Sequence, residues 1–213
     1  MVDDLLDRAE FMMLPPGEAC LVGAPGSALE QTLARRDIRV TARAPASFDE
    51  EQPWPGTGFD YIFSCQTLGT LNDLPGALLH YRNALNEGGL FIGQMTGAGS
   101  LPALRQIMLA ADGDRPAARL HPQVDTGSAT ALLQRAGYSR QVVDSRTLTV
   151  RFASFDTMIA DLRQQGLTSV LLSRPPHVGK AGLSRALAAF DALRDAEGRV
   201  SERFEILTLT GWK

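Results

Sequence analysis

Several features that mark large classes of protein are scarce in this sequence. Among its 213 residues the 21 Lys and Arg nearly balance the 24 Asp and Glu, so there is no basic excess. Phosphate backbones are bound by basic stripes, and this balance therefore excludes nucleic acid as a main partner. No apolar run approaches the roughly 20 residues that span a bilayer, and residues 1–7 are acidic where a secretory signal would be basic. We expect a cytoplasmic protein without a membrane span.

Metal-ligating residues are equally scarce. The only cysteines, Cys20 and Cys65, lie far apart inside apolar stretches and form no CxxC pair. His80, His121 and His177 are scattered, and none stands at a ligand-like distance from a cysteine. Structural zinc sites need closely spaced Cys and His. We therefore predict no metal site and expect both cysteines to be small buried side chains.

What remains is the composition of an ordinary globular protein, with 44% hydrophobic and 21% charged residues. A chain of this length buries roughly 70% of its unfolded surface when it folds as one domain. We find no repeats, linkers or low-complexity tracts. The sequence therefore predicts one domain over residues 1–213.

The first half alternates strand and helix signals, which is typical of a parallel doubly wound sheet. Strands are predicted at 18–24, 38–42, 59–65 and 90–95, and helices at 27–36, 72–85, 101–111 and 128–136. Residues 44–58 are predicted to be a loop, in which Trp54 either contacts a partner or anchors the loop to the core.

The last third changes character. Thr147–Phe152 alternates apolar and polar residues, which predicts a half-exposed strand, with 204–210 as its partner. Helices are predicted near 155–165 and 180–196. In the second of these, four apolar residues at helical spacing predict a face packed on the core. They are Leu183, Leu187, Phe190 and Leu193.

Several short motifs, in a consistent order, resemble one branch of the class I S-adenosylmethionine (SAM)-dependent methyltransferases. Phe59–Ser64 is similar to the fourth strand of that family. The other motifs are Asn72–Ala77, Asn86–Gly93, Ser100–Arg105, Leu132–Tyr138 and Gly211–Lys213. The branch contains the malonyl-acyl-carrier-protein methyltransferase of biotin synthesis, and the mitochondrial complex I assembly factor of methyltransferase fold with its bacterial relatives.

The resemblance implies an α/β, Rossmann-like fold whose mostly parallel sheet ends in a C-terminal antiparallel strand pair. It covers residues 59–213, with a helical insertion at about 155–196. Residues 1–58 form a shortened and degenerate cofactor half, because 44–58 are too few for the helix and third strand of the family.

The resemblance also implies SAM as cofactor and places its site in the altered half. The family loop of the Gly-x-Gly-x-Gly type is here Gly23–Ser27, with Pro25 and Ser27 in place of two glycines. Pro25 also removes an amide donor. The acidic residue that holds the ribose is replaced by Ala42 or Arg43, and a guanidinium has no acceptor atoms. The expected cofactor-binding residues are Gly23, Ala24, Gly26, Asp49 and Gln66.

On the substrate side, Arg105, Arg119 and His121 follow the last parallel strand, where a cation can bind a carboxylate. Arg105 and His121 are the candidate substrate residues. Three functions remain open: a SAM-dependent methyltransferase-like protein with an unnamed small-molecule or protein acceptor; a non-catalytic binding or assembly protein that has lost SAM; and a nucleotide-binding protein that uses Arg43 for a phosphate.

Overall fold

The computed structural model describes residues 2–213, which form a six-stranded sheet and seven α-helices. The strands are β1 Gly17–Val22, β2 Ile38–Arg43, β3 Phe59–Cys65, β4 Leu85–Thr96, β5 Ser139–Phe152 and β6 Val200–Trp212. The helices are α1 Val2–Phe11, α2 Ala28–Arg35, α3 Leu74–Ala84, α4 Pro102–Asp112, α5 Thr126–Arg135, α6 Phe155–Gln164 and α7 Lys180–Ala192.

The strand order is β2-β1-β3-β4-β6-β5, and the first four strands are parallel where they pair. The doubly wound order 3-2-1-4-5-6 places a third strand outside the second. Within residues 2–213 no strand pairs with the outer edge of β2. The chain passes from β2 through the loop 44–58 directly to β3, so the predicted loss of one sheet element is confirmed.

The final strands close the sheet with reversed direction. The Lys213 amide donates to the Gly89 carbonyl at 3.0 Å, and the Gly97 amide donates to the Glu205 carbonyl at 2.7 Å. The residue numbers increase along β4 while those of the paired residues in β6 decrease, so β6 runs antiparallel to β4. This arrangement agrees with the expected mostly parallel α/β sheet with late antiparallel strands.

The chain divides into two compact units. Unit 1 comprises the residues up to Thr96, Val124–Ser145 and Leu207–Lys213. Its sheet is buried on both faces, because Cys20 and Val22 point to one apolar cluster and Ala19 and Leu21 to another. Alternate residues of β1 point to opposite faces of the sheet, and both faces are buried. All of these residues are therefore apolar, and β1 appears in the sequence as one continuous apolar run.

Unit 2 comprises Gly97–Gln123 and Arg146–Ile206. The N-terminus of α4 is capped from β6, since the buried Glu202 carboxylate accepts hydrogen bonds from the amides of Ala103 and Leu104 at 3.2 and 2.7 Å. These amides have no partner inside the helix, and a carboxylate also complements the helix dipole.

The packing face predicted for α7 is right at Phe190 and wrong at Leu183 and Leu187. Leu183 and Leu187 are 47% and 42% exposed, whereas Gly182, Ala186 and Phe190 are buried. A Cβ at Gly182 would lie 3.0 Å from the Ala111 carbonyl oxygen of α4. The two helices therefore approach through small residues, and this close approach turns the leucines outward.

Three other expectations need correction. Helix α1 was not predicted. Strands β4 and β5 begin earlier, at Leu85 and Ser139. Leu148, expected on the buried face of β5, is 42% exposed, and β5 is an edge strand of the sheet.

Candidate functional site

The turn after β1 holds three of the predicted cofactor-binding residues, Gly23, Ala24 and Gly26. Gly23 has φ +92°, and a Cβ there would lie 2.5 Å from the Cys65 carbonyl oxygen and 2.8 Å from the Thr67 methyl carbon. Only glycine fits such a position. The space beside Gly23 is taken by the end of β3 in the same chain, and this contact is the reason that a glycine is needed there.

The N-terminus of α2 is capped by its own side chains. The Gly26 amide donates to the Glu30 carboxylate at 2.6 Å, and Ser27 Oγ accepts from the Glu30 amide at 3.4 Å. Exposed amides at a helix N-terminus are what anionic ligands and the polar parts of cofactors bind. Here a carboxylate of the helix itself takes the Gly26 amide, and Pro25 supplies none.

Four buried polar residues meet near the ends of β1 and β3, and we name them the Glu50 cluster: Glu50, Ser64, Thr67 and Tyr81. Thr67 Oγ1 donates to Glu50 Oε2 at 2.7 Å and lies 2.9 Å from Ser64 Oγ. The Tyr81 hydroxyl donates to the same carboxylate oxygen. Glu50 is 4% exposed and Tyr81 is fully buried. The hydroxyls of the cluster are hydrogen-bonded within it, and the cluster presents little to solvent.

Burial sets the protonation of this cluster. It raises the pKa of Glu50 above its ordinary value, and the hydrogen bonds from Tyr81 and Thr67 oppose that rise. Burial and the adjacent Glu50 also raise the pKa of Tyr81 well above its usual range. A buried carboxyl group without a cation partner favours its neutral form.

The loop 44–58 is anchored beside the cluster by aromatic contacts. The Trp54 ring lies 4.9 Å from the rings of both Phe48 and Tyr81 and 6.1 Å from Phe59. These edge-to-face contacts contribute beyond simple burial. Of the two roles considered for Trp54, the structure supports the anchor.

The end of β2 carries a cation where the family has an acid. The Arg43 guanidinium lies 5.8 Å from the Phe48 ring centre and stands beside Cys20. Burial raises the pKa of the Cys20 thiol to about 11, and Arg43 opposes this rise. Neither group accepts hydrogen bonds as a ribose-binding carboxylate does.

The other two predicted cofactor residues are placed differently. Gln66 is half-buried just after β3 and adopts φ +66°. Asp49 is exposed, and its Oδ1 accepts from the Glu51 amide at 3.0 Å. The neighbouring Glu50, which the sequence analysis did not select, is the acid that enters the interior. In the sequence, Glu50 is one of three consecutive acidic residues, Asp49–Glu51, and this pattern does not show which of them is buried.

The residues present do not fit SAM. The cofactor requires free amides at the loop after the first strand and an acceptor for the ribose hydroxyls. Here Glu30 occupies the Gly26 amide, and Cys65 and Thr67 crowd Gly23. The last residue of β2, opposite Val22 of β1, is Arg43, which offers no acceptor. Glu50 is already engaged by Thr67 and Tyr81.

The predicted substrate residues lie in unit 2, in two different cavities. Arg105 lines one of about 350 Å³ together with Ser100, Gln106 and Arg203. His121 lines another of about 400 Å³ together with Arg119. The structure therefore does not bring Arg105 and His121 together.

Residues 2–213 lack two features that would mark a function. No group of three or more His, Cys, Asp or Glu in this part of the chain is placed to hold a metal ion. None of its helices is long and apolar enough to cross a membrane.

The fold is that of the class I methyltransferases. A candidate methyltransferase from Bacillus halodurans superimposes with a TM-score of 0.62, 14% identity and 98% coverage of both chains. The YcgJ protein from Bacillus subtilis gives a TM-score of 0.60 and 10% identity, with 100% of this chain and 97% of that chain covered. At these identities the likeness establishes the fold.

Among curated proteins, the chain is 27% identical to the mitochondrial arginine-hydroxylase NDUFAF5 of Danio rerio over 84% of this chain and 57% of that protein. The human protein of that name is 28% identical over 78% of this chain and 49% of its own length. The malonyl-[acyl-carrier protein] O-methyltransferase of Xylella fastidiosa is 27% identical over 75% and 54%. No family model matches.

The chain spans about half the length of the curated relatives it matches. The resemblance inferred from the motifs is confirmed, and the chain is a methyltransferase-like protein in sequence and fold.

Proposed function

We propose that this chain is a non-catalytic binding protein of methyltransferase fold, which keeps the scaffold and does not use SAM. The Glu50 cluster is the observation that carries the proposal. The carboxyl group of Glu50, on the shortened loop 44–58, is buried near the ends of β1 and β3 and accepts hydrogen bonds from Thr67 and Tyr81. In open α/β sheets this is the edge at which ligands bind.

The electrostatics of that edge support the same proposal. The ribose diol of SAM donates two hydrogen bonds, and a carboxylate at the end of the second strand accepts them in the family. Arg43 donates only, so the diol would meet a donor instead of an acceptor. Unpaired polar groups cost about 1–3 kcal/mol each when buried, and two of them offset much of the binding energy of a small ligand.

The partner of such a scaffold is proposed from resemblance. The motifs are similar to those of an assembly factor of respiratory complex I, and a subunit of a respiratory complex is the partner that this resemblance implies. Fold does not fix function when the site has changed.

Methyl transfer is the second candidate, favoured by the similarity to malonyl-[acyl-carrier protein] O-methyltransferases over about three quarters of the chain. On that alternative a malonyl thioester on an acyl-carrier protein would be the acceptor. Such a reaction needs the sulfonium held in line with the acceptor carboxylate.

The test uses radiolabelled SAM with the purified chain. Ultraviolet cross-linking measures occupancy of the site directly, and incubation with malonyl-acyl-carrier protein measures transfer of the label. A SAM-dependent methyltransferase treated in parallel is the positive control. We expect neither cross-linking nor transfer. Saturable cross-linking that unlabelled S-adenosylhomocysteine displaces would overturn the proposal, and transfer to the carrier protein would establish the second candidate.

A further inference from the structure

Unit 2 contains a cavity of about 400 Å³ that the proposed function does not use. We name it the α4–α6 cavity, because its walls are α4, α6 and the segment that follows α6. Ligand sites are typically concave, largely apolar and of about 300–1,000 Å³, with a few polar groups that orient the ligand. The size falls within that range.

The walls are apolar by the spacing of their side chains. Leu104 and Met108 are four residues apart on α4, and Ile159 and Leu162 are three apart on α6. Residues at these spacings share one face of a helix. The following segment adds Leu167 and other aliphatic side chains, so one part of the cavity suits a hydrocarbon chain.

The charged side chains of the lining are two arginines, Arg119 and Arg174, and no Asp or Glu lines the cavity. The other polar lining residues are His121, Thr168 and Ser169. Arg174 makes no hydrogen bond or ion pair with another residue of the chain from residue 2 onward. A cation at the mouth of an apolar cavity selects an anionic head group.

Arg119 is held in position by its own partners. Its Nε and Nη2 donate to Asp112 Oδ1 at 2.8 and 2.5 Å, and Nη2 also donates to the Pro176 carbonyl at 3.0 Å. The side chains of Arg119 and Asp112 are only 10% and 5% exposed. The hydrogen bond from Arg119 lowers the pKa of Asp112, so the pair stays ionised. Its fixed guanidinium leaves Nη1 without a partner among the described residues.

We propose that the α4–α6 cavity binds an aliphatic carboxylate, with the chain between α4 and α6 and the carboxylate at Arg174 and Arg119 Nη1. Because Asp112 already balances Arg119, Arg174 is the remaining uncompensated charge of the lining. One unbalanced cation matches a single negative charge better than the double charge of a phosphate monoester. This inference does not depend on whether unit 1 binds SAM.

Isothermal titration with octanoate tests the proposal, with octanol, octylammonium and octyl phosphate as probes that keep the chain and change the head group. We expect octanoate to bind about tenfold or more tightly than octanol, since charge-assisted hydrogen bonds add about that factor. Octylammonium should not bind. Equal affinity for octanoate and octanol, or tighter binding of octyl phosphate, would overturn the assignment.

Variants locate the site. Arg174→Gln should weaken octanoate about tenfold and leave octanol unchanged. Arg163→Gln removes the same charge from an exposed position of α6 outside the lining and should leave both affinities unchanged. Ile159→Trp should fill the cavity and abolish binding of both probes, with folding checked by circular dichroism. Retained binding in a folded Ile159→Trp protein would place the ligand elsewhere and refute the proposal.

Discussion

Replacing Glu50 by Gln tests whether a neutral carboxyl group stabilises the Glu50 cluster. The side chain is 4% exposed and has no cation partner among its hydrogen bonds, which come from Thr67 and Tyr81. Glutamine keeps the shape and one carbonyl acceptor for these two hydroxyls. The variant therefore removes the titration while retaining most of the contacts.

The sign of the pH dependence follows from the raised pKa. Unfolded Glu50 titrates near its ordinary value of 4.5, and burial raises the pKa in the folded protein. Between those two values the folded state binds more protons than the unfolded state, so the free energy of unfolding falls as pH rises. The slope is about 1.4 kcal/mol per pH unit while one proton separates the states. Above the folded pKa the loss is complete.

The assay is urea unfolding of wild type and Glu50→Gln between pH 4 and 8, with the difference in unfolding free energy plotted against pH. Glu10→Gln, at an exposed position of α1, controls for the loss of one negative charge. We expect wild type to lose stability relative to Glu50→Gln as pH rises above about 4.5. A flat difference would show that burial does not raise the pKa of Glu50, and a difference that favours wild type at higher pH would show a stabilised carboxylate; either result would refute the argument.

Three further predictions concern stability and are measured by the same unfolding assay. Gly23→Ala should lower the free energy of unfolding by about 2 kcal/mol or more, because the added Cβ would meet the Cys65 carbonyl oxygen at a position with positive φ. Gly26→Ala is the control: its φ is also positive but no atom lies within 4 Å of the added Cβ, so it should lower that free energy by only about 1 kcal/mol. Gly182→Val should destabilise unit 2 by about 1–3 kcal/mol through overpacking against α4, and Leu183→Ala on the exposed side should change stability by less than about 0.5. Glu202→Ala should cost about 2–4 kcal/mol, because it leaves buried amides of α4 without an acceptor; an unchanged midpoint would contradict this capping role.

The sequence predicted the sheet well because buried strands are short apolar runs bounded by turn residues. β3 was predicted with the bounds it has, and the pairing of β1 with β2 follows from the βαβ pattern. The missing third strand was predictable from length alone, since 44–58 cannot contain a helix and a strand.

The local pattern could not predict which side chains the shortened loop would bury. Asp49 and Glu50 are adjacent and chemically similar, and only the path of the loop past Thr67 and Tyr81 selects Glu50. In α7 the leucine spacing suggested one face, but the approach allowed by Gly182 selected the other. Such choices depend on tertiary contacts, which a local sequence pattern does not contain.

Arg105 and His121 line different cavities for a related reason. Both follow the last parallel strand in sequence, yet α4 directs Arg105 to one cavity while the segment after it directs His121 to the other. Their roles as substrate residues stay predictions.

The central claim is that the chain keeps the methyltransferase scaffold without its cofactor. Isothermal titration of the purified protein with S-adenosylhomocysteine, supported by a thermal-shift measurement, tests it most directly, because a ligand that binds only the folded state must raise its apparent stability. We predict no binding heat and no rise in Tm at about millimolar ligand. Low-micromolar affinity with a matching rise in Tm would contradict it.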